Sequence, residues 1–176
     1  MAEVARATAA QARTSGRPGL RGELLPVERC PGLAAEWRAL AQAAECSPFS
    51  SWEWVSTWLE QLPREVKPLL FRAHDADGVA ALALLVDRGE QGAGRWFGRR
   101  SWYLQETGDP ELDEITVEYA GLLARPEALD DGYRALFEAL ARLPPDWRRL
   151  RISTSAHGPA IAAALPAGLH AASVES

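Results

Sequence analysis

Hydrophobic positions along the chain recur with two different periods, and the places where the period changes mark off its elements. In "LAAEWRALAQAAE", residues 33–45, Leu33, Trp37, Leu40, Ala41 and Ala44 fall at helical spacing, with Glu36, Arg38 and Gln42 on the opposite face. Pro31 stands where the first turn of a helix tolerates it. The spacing predicts an amphipathic helix.

A second helix is predicted in "PFSSWEWVSTWLEQL", residues 48–62, which carries three of the chain's seven tryptophans. Ser50 and Glu53 have the spacing of a capping box, and Phe49 with Trp54 that of a hydrophobic staple. Val55, Trp58, Leu59 and Leu62 form an inward stripe, and Pro63 closes the helix. Trp54 then serves the staple and Trp58 the core. Trp52 is left with either a structural role or a place in the lining of a cleft.

The period shortens in "KPLLFRAHDADGVAALALLVDR", residues 67–88, which reads as two strands around Asp77-Gly78. Both runs are too apolar for a sheet with one wet face, so they are expected to be covered on both sides. "GEQGAGRWFGRRS" is a glycine- and arginine-rich connection, "SWYLQE" a third strand, and "TGDPELDE" an acidic loop. "EITVEYAGLLA" fits a short strand or an ordered loop. From Pro126 a third helix follows, with Leu129, Tyr133, Leu136, Phe137, Leu140 and Leu143 as its buried stripe, ended by Pro144-Pro145. "WRRLRIST" alternates Arg149 and Arg151 with Leu150 and Ile152 as a strand with one wet face does, and Gly158-Pro159 opens a short last helix. The order α-α-β-β-β-α-β-α defines an α/β domain with a mixed sheet flanked by helices. No internal repeat is present.

Composition narrows this further. A chain of 176 residues that is 47% hydrophobic suits one domain with a substantial core. A net charge of −5 and a pI near 5.3 give no global attraction to nucleic acid or to an anionic membrane. No apolar run reaches the roughly 18 residues that a membrane helix needs. Residues 1–22 are rich in Ala and Arg, with Glu3 as their only acid and no secretory apolar segment. They are read as a disordered tail before a domain spanning 23–176, although their composition overlaps with that of organelle transit peptides. The expected location is the cytoplasm. Cys30 and Cys46 form no CxxC pair and have no histidine close in sequence, and they read as two buried thiols in a reducing compartment.

Candidate chemistry is sparse. There is no GxSxG elbow, and Ser153, Ser155 and His157 in "STSAHG" read as a turn with helix-capping serines. The histidines are isolated and no HExxH spacing occurs, so no metal is expected. Glu106, Asp109, Glu111, Asp113, Glu114 and Glu118 crowd a stretch with no Lys or Arg between Ser101 and Ala124. A solvated acidic loop accounts for them, as do attraction of an amine and a carboxylate held as a general base. Gln91, Gly92 and Gly94 with Arg95, Arg99 and Arg100 have the composition of a phosphate cradle, but the stretch feeds a strand rather than a helix N-terminus.

Taken together, "SPFSSWEWVSTWLEQL", "PLLFRAHDADGVAALALLVDR" and "SWYLQETGDPELDEITVEYAGLL" resemble the front half of two-domain acyltransferases of the GNAT superfamily, in the FemAB-like and cellulose-biosynthesis-associated acetyltransferase-like group. The resemblance covers residues 24–176. It implies a GNAT-like core, incomplete here, with a second domain after residue 176, and transfer of an acyl group from acetyl-CoA or another acyl-CoA to a small-molecule or saccharide amine. It implies a homodimer or a partner GNAT-like domain, and no nucleic acid or membrane span.

By the same resemblance Glu106, Glu118 and Tyr119 are the catalytic candidates. A carboxylate would deprotonate the amine, and Tyr119 would protonate the leaving thiolate. Trp52, Thr107, Gly108 and Asp109 are the substrate-binding candidates. The family holds the CoA pyrophosphate on an Arg/Gln-x-x-Gly-x-Gly/Ala loop that opens a central helix. Residues 107–131, which stand in its place, lack that loop and are acidic, and Ala120 occupies the position of a family asparagine. A catalytically inactive GNAT-like binding or interaction module is the alternative.

Overall fold

The structure, a computed structural model, describes residues 19–44, 46–89, 100–113, 121–144, 147–152 and 157–166. A six-stranded mixed sheet forms its middle layer. The strands are β1 (Arg21–Pro26), β2 (Leu69–Asp75), β3 (Gly78–Gly89), β4 (Arg100–Leu104), β5 (Leu123–Ala124) and β6 (Trp147–Arg151), in the order β1-β2-β3-β4-β6 with β5 also on β3. All neighbours are antiparallel except β4 and β6, which run parallel. The helices are α1 (Leu33–Ala43), α2 (Trp52–Gln61), α3 (Leu129–Ala141) and α4 (Gly158–Ala164). Helices α1 and α2 cover one face of the sheet, and α3 and α4, on either side of β6 in sequence, cover the other.

Alternation along β3 explains the layering. Ala81, Ala83 and Leu85 join the core built with Tyr133, Leu136, Phe137 and Leu140 of α3. Leu82, Leu84 and Val86 join the other, with Leu33, Trp37 and Leu40 of α1 and Val55 and Trp58 of α2. Successive side chains of a strand point to opposite faces, so an all-apolar run can serve two cores at once. The hairpin reverses through Ala76-Asp77, where the Asp75 side chain accepts from the Asp77 amide and Gly78 takes a φ of 113°. At that turn Asp75 also accepts from Arg125 at 2.6 Å, with both side chains largely buried, which fixes the hairpin tip to the end of β5.

The predicted helices are present with small shifts at their ends. The cap of α2 is Ser51 rather than Ser50; its hydroxyl accepts from the Trp54 amide, while Ser50 ends a short 3-10 turn, Pro48–Ser50. Phe49 and Trp54 meet edge to face at 5.0 Å, as the staple spacing predicts. A 3-10 turn over Pro126–Ala128 precedes α3, so that helix starts at Leu129 rather than Pro126. Two strands extend the predicted order. β5 resolves part of the ambiguous "EITVEYAGLLA" as a two-residue strand. β1 was not foreseen, and it takes Arg21 and Gly22 out of the expected tail and into the sheet. The remainder of that tail and the glycine- and arginine-rich stretch 90–99 lie outside the described residues. Cys30 is half-buried but Cys46, in the connection after α1, is exposed, which corrects the expectation of two buried thiols. Among the described residues, no helix is long and apolar enough to cross a membrane.

β1 matters because α3 lies directly across it. The Arg142 side chain donates to the Gly22 carbonyl at 2.6 Å, and a Cβ on Gly22 would come within 2.8 Å of both the Ala135 carbonyl oxygen and the Phe71 ring. Backbone cannot yield as a flexible side chain does. Gly22→Ala is therefore expected to destabilise the fold by about 1–3 kcal/mol, as overpacking does. Urea unfolding with an unchanged slope checks it, and an unaltered midpoint would mean that residues 21–22 belong to the tail after all.

Candidate functional site

The strand β4 and its continuation generate the region of interest. β4 pairs with the second half of β3, and β5 pairs with the first half, so the two lie end to end along one edge of β3. Just past β4, Gln105 still bonds to that edge, its amide donating to the Leu84 carbonyl at 2.8 Å. The chain leaves the sheet there and returns at β5. Gln105 has a φ of 55°, in the left-handed region that costs a non-glycine residue on the order of 1–2 kcal/mol. It is nevertheless 2% exposed. Its Oε1 accepts from the Gly121 amide at 3.3 Å, tying the start of the excursion to its end, while its Nε2 has no hydrogen-bond partner among the described residues.

Most of the residues expected to form the site sit in the first turn of this excursion. Glu106 is 8% exposed and Thr107 3% exposed. Asp113 closes the turn on itself: its carboxylate accepts from the Thr107 amide at 2.8 Å, the Thr107 hydroxyl at 2.8 Å and the Gly108 amide at 2.7 Å. The Thr107 oxygen in turn accepts from the Asp109 amide at 3.0 Å. Gly108 has a φ of 72° and lies against the Tyr103 ring, where a Cβ would come within 2.4 Å of a ring carbon. Asp109 accepts from Arg88 at the end of β3 at 3.1 Å. Thr107, Gly108 and Asp109 are thus engaged in holding the turn in shape. Two of the six acids of this stretch are structural: the Asp113 carboxylate satisfies the turn's amides and that of Asp109 anchors the turn to the sheet.

Trp52 stands apart from that turn, at the start of α2. Its ring lies 6.3 Å from that of Trp37 and under the Arg38 guanidinium at 6.0 Å, and Arg38 also pairs with Glu53. It therefore joins α1 to α2 while remaining half-buried. Glu118 and Tyr119 lie outside the described residues, as do Ser153 and Ser155.

A second arrangement emerges where the excursion returns. Tyr133 of α3 is fully buried, and its phenol accepts from the Leu122 amide at 3.4 Å. The phenol oxygen also lies 3.0 Å from His157 Nδ1, in a hydrogen bond whose donor depends on the imidazole tautomer. A neutral imidazole that accepts at Nδ1 carries its own proton on Nε2. Burial lowers the His157 pKa below its usual 6.5, which favours this neutral form. Gly121 makes the approach feasible, since a Cβ there would fall 2.7 Å from His157 Nδ1.

His157 and Gly121 face a groove of about 350 Å³. Its other walls are Cys46, Ser47 and Ser50 from the α1–α2 connection, residues 122–124, and Pro126 with Leu129 at the entry to α3. The Trp37 indole donates to the Ser50 carbonyl at 2.8 Å, so a fully buried ring on α1 fixes the height of the serine wall. The Ser47 hydroxyl is buried and has no partner among the described residues. Leaving a buried polar group unpaired costs about 1–3 kcal/mol, which marks the region as one where an incoming group would gain. Sequence reasoning set His157 aside with its neighbouring serines and placed Tyr133 in the core stripe. The available signal was a tyrosine at the most buried position of a helix, because its hydroxyl must find a partner. Among the described residues, no three His, Cys, Asp or Glu side chains gather as a metal site.

Comparison with protein-family models, with curated proteins and with solved structures finds no match to this chain.

Two outcomes test these geometries. Asp113→Asn replaces an acceptor of three hydrogen bonds by a group with one acceptor oxygen. It should cost about 1–3 kcal/mol in urea unfolding and speed amide exchange at Thr107 and Gly108. For His157 the sign follows from its lowered pKa: the unfolded chain binds the proton more readily, so stability is complete above the ordinary value of 6.5 and falls as pH drops below it towards the folded value. Stability curves of the wild type and His157→Gln should therefore differ in slope just below that pH and run parallel above it.

Proposed function

We propose that this chain is a GNAT-like domain of an N-acyltransferase, contributing the acceptor side of the cleft for transfer from acetyl-CoA or another acyl-CoA to an amine. The observation that carries the reading is the sheet itself. An antiparallel run β1-β2-β3-β4, with two helices inserted after β1, is followed by a helical crossover to a parallel strand beside β4. That order suits the GNAT core implied by the sequence resemblance. The outer edge of β6 pairs with no strand among the described residues, which suits a partner GNAT-like domain or a second copy of the chain on that side.

In this reading the amine nitrogen attacks the thioester carbonyl and the carbon–sulfur bond breaks. Glu106, nearly buried just beyond the end of β4, is the described candidate to take the amine proton; Glu118 is the other candidate base, and Tyr119 is the candidate donor to the departing thiolate. A cytoplasmic setting, where acyl-CoA is available, goes with this proposal.

One observation favours the second reading, a catalytically inactive binding module. A pyrophosphate site at the α3 N-terminus would exploit free amides and the helix dipole. The first turn of α3 carries Asp130 and Asp131, both exposed, and its cap is Ala128. These acids oppose an anion.

Titration calorimetry of the folded chain with acetyl-CoA, and with desulfo-CoA and free CoA as controls, separates the readings. The expected result is saturable binding weaker than micromolar, tightened about threefold to tenfold when Asp130 and Asp131 are both changed to Asn, because two like charges leave the helix N-terminus. Binding unaffected by that change would place the pyrophosphate elsewhere and overturn the GNAT-like reading. No binding at millimolar ligand by either form would sink donor binding by this chain alone and leave a half-enzyme completed by a partner domain, or the binding module.

A further inference from the structure

We propose that the groove between the α1–α2 connection and β5 is a binding site for an uncharged small molecule that presents a hydrogen-bond-accepting group, a carboxamide or ketone, on an apolar body. The proposal stands independently of acyl transfer.

The first argument is charge. No described residue that lines the groove is ionised at neutral pH, in a chain where 24% of residues are charged. His157 is the one imidazole there, and its burial lowers its pKa and so favours the neutral form. An ion entering such a site would lose hydration with no countercharge in the described walls to replace it. Arg125, the nearest cation in sequence, is not among the described lining residues and pairs with Asp75.

The second argument is the supply of hydrogen bonds. One buried side-chain polar atom of the described lining, the Ser47 hydroxyl, has no hydrogen-bond partner among the described residues. A hydroxyl can donate as well as accept. A ligand carbonyl placed against it would take that unanswered proton. Leu122, Leu123, Pro126 and Leu129 provide the apolar contact for the remainder of the molecule. A volume near 350 Å³ lies at the small end of the range for ligand sites, which fits a single ring with its substituent.

A matched set of probes tests this. Benzamide, benzoate and benzylamine share one ring and differ in charge. Titrated into the isotopically labelled full chain at neutral pH, benzamide should give saturable shifts of the Gly121 and Leu122 amides and of the His157 ring. The two charged probes should bind at least about tenfold more weakly, for want of a countercharge. Equal binding of benzoate or benzylamine overturns the charge argument, and saturable binding that leaves Gly121 and His157 unmoved puts the site elsewhere. No saturable shift with any probe overturns the proposal outright. As an independent check, exposed Cys46 stands at the groove wall, so alkylation with N-ethylmaleimide should abolish the benzamide shifts. Cys30→Ser, which leaves Cys46 as the chain's one thiol, should lose those shifts on the same treatment, and their survival in that variant would assign the effect to Cys30 and count against the groove.

Discussion

The whole arrangement depends on one strand having no solvent face. From Ala80 to Val86 every residue of β3 is buried, and alternate side chains enter two different cores. The two faces are built differently. Ala81 and Ala83 offer little bulk to α3, and Gly132 of that helix comes so close that a Cβ would lie 3.2 Å from the Ala81 Cβ. Leu82 and Leu84 fill the wider space beneath Trp37 and Trp58. A fully buried leucine is worth about 1.5–3 kcal/mol of transfer free energy, so this short run supplies a large part of what holds the layers together. A one-residue slip would exchange the small and large faces and leave α3 without room.

The same strand creates the irregular region. β3 is 12 residues long, whereas β4 is 5, so β4 leaves half of that edge uncovered. The chain answers with β5, a separate pair of residues that returns to the vacant half after a long excursion. Backbone groups along a buried edge need partners, and the bonds from Gln105 to Leu84 and from Arg125 to Ala80 extend the cover at the margins. Strain at Gln105, the Asp113 clasp and the Tyr133–His157 pair all follow from having to leave the sheet and come back. The groove lies where the returning segment passes under the α1–α2 connection.

What the sequence made legible was whatever depended on near neighbours. Helix caps, staples and stripes act within one or two turns, so α1 and α2 could be placed from spacing alone, with the cap displaced only from Ser50 to its neighbour Ser51. The all-apolar run of β3 similarly required two covered faces. β1 escaped notice because its burial is partial along nearly its whole length, leaving no alternation to detect; its place comes from pairing with β2 and from α3 crossing over Gly22. The site was less legible for a related reason. Tyr133 and His157 are 24 residues apart, and Gln105 and Gly121 are 16 apart, so neither contact leaves a periodic trace. Asp113 looked like one more member of an acidic run. Its individuality lies in the two amides and the hydroxyl that it alone receives.

That last point bears on what the molecule can recognise. Anions bind where backbone amides gather without partners. The turn at Thr107-Gly108 gathers amides, but the Asp113 carboxylate already occupies them and makes the turn internally complete. The start of α3 gathers amides too, but Asp130 and Asp131 stand in its first turn, and Asp131 is paired with Arg134 of the same helix. In both places the chain meets its own positive potential with its own carboxylates. The groove lacks such self-satisfaction: the Ser47 hydroxyl in its wall has no partner among the described residues, and burial favours the neutral form of its imidazole. A phosphate-bearing donor therefore meets carboxylates at both amide clusters, while the described walls of the groove favour a neutral partner.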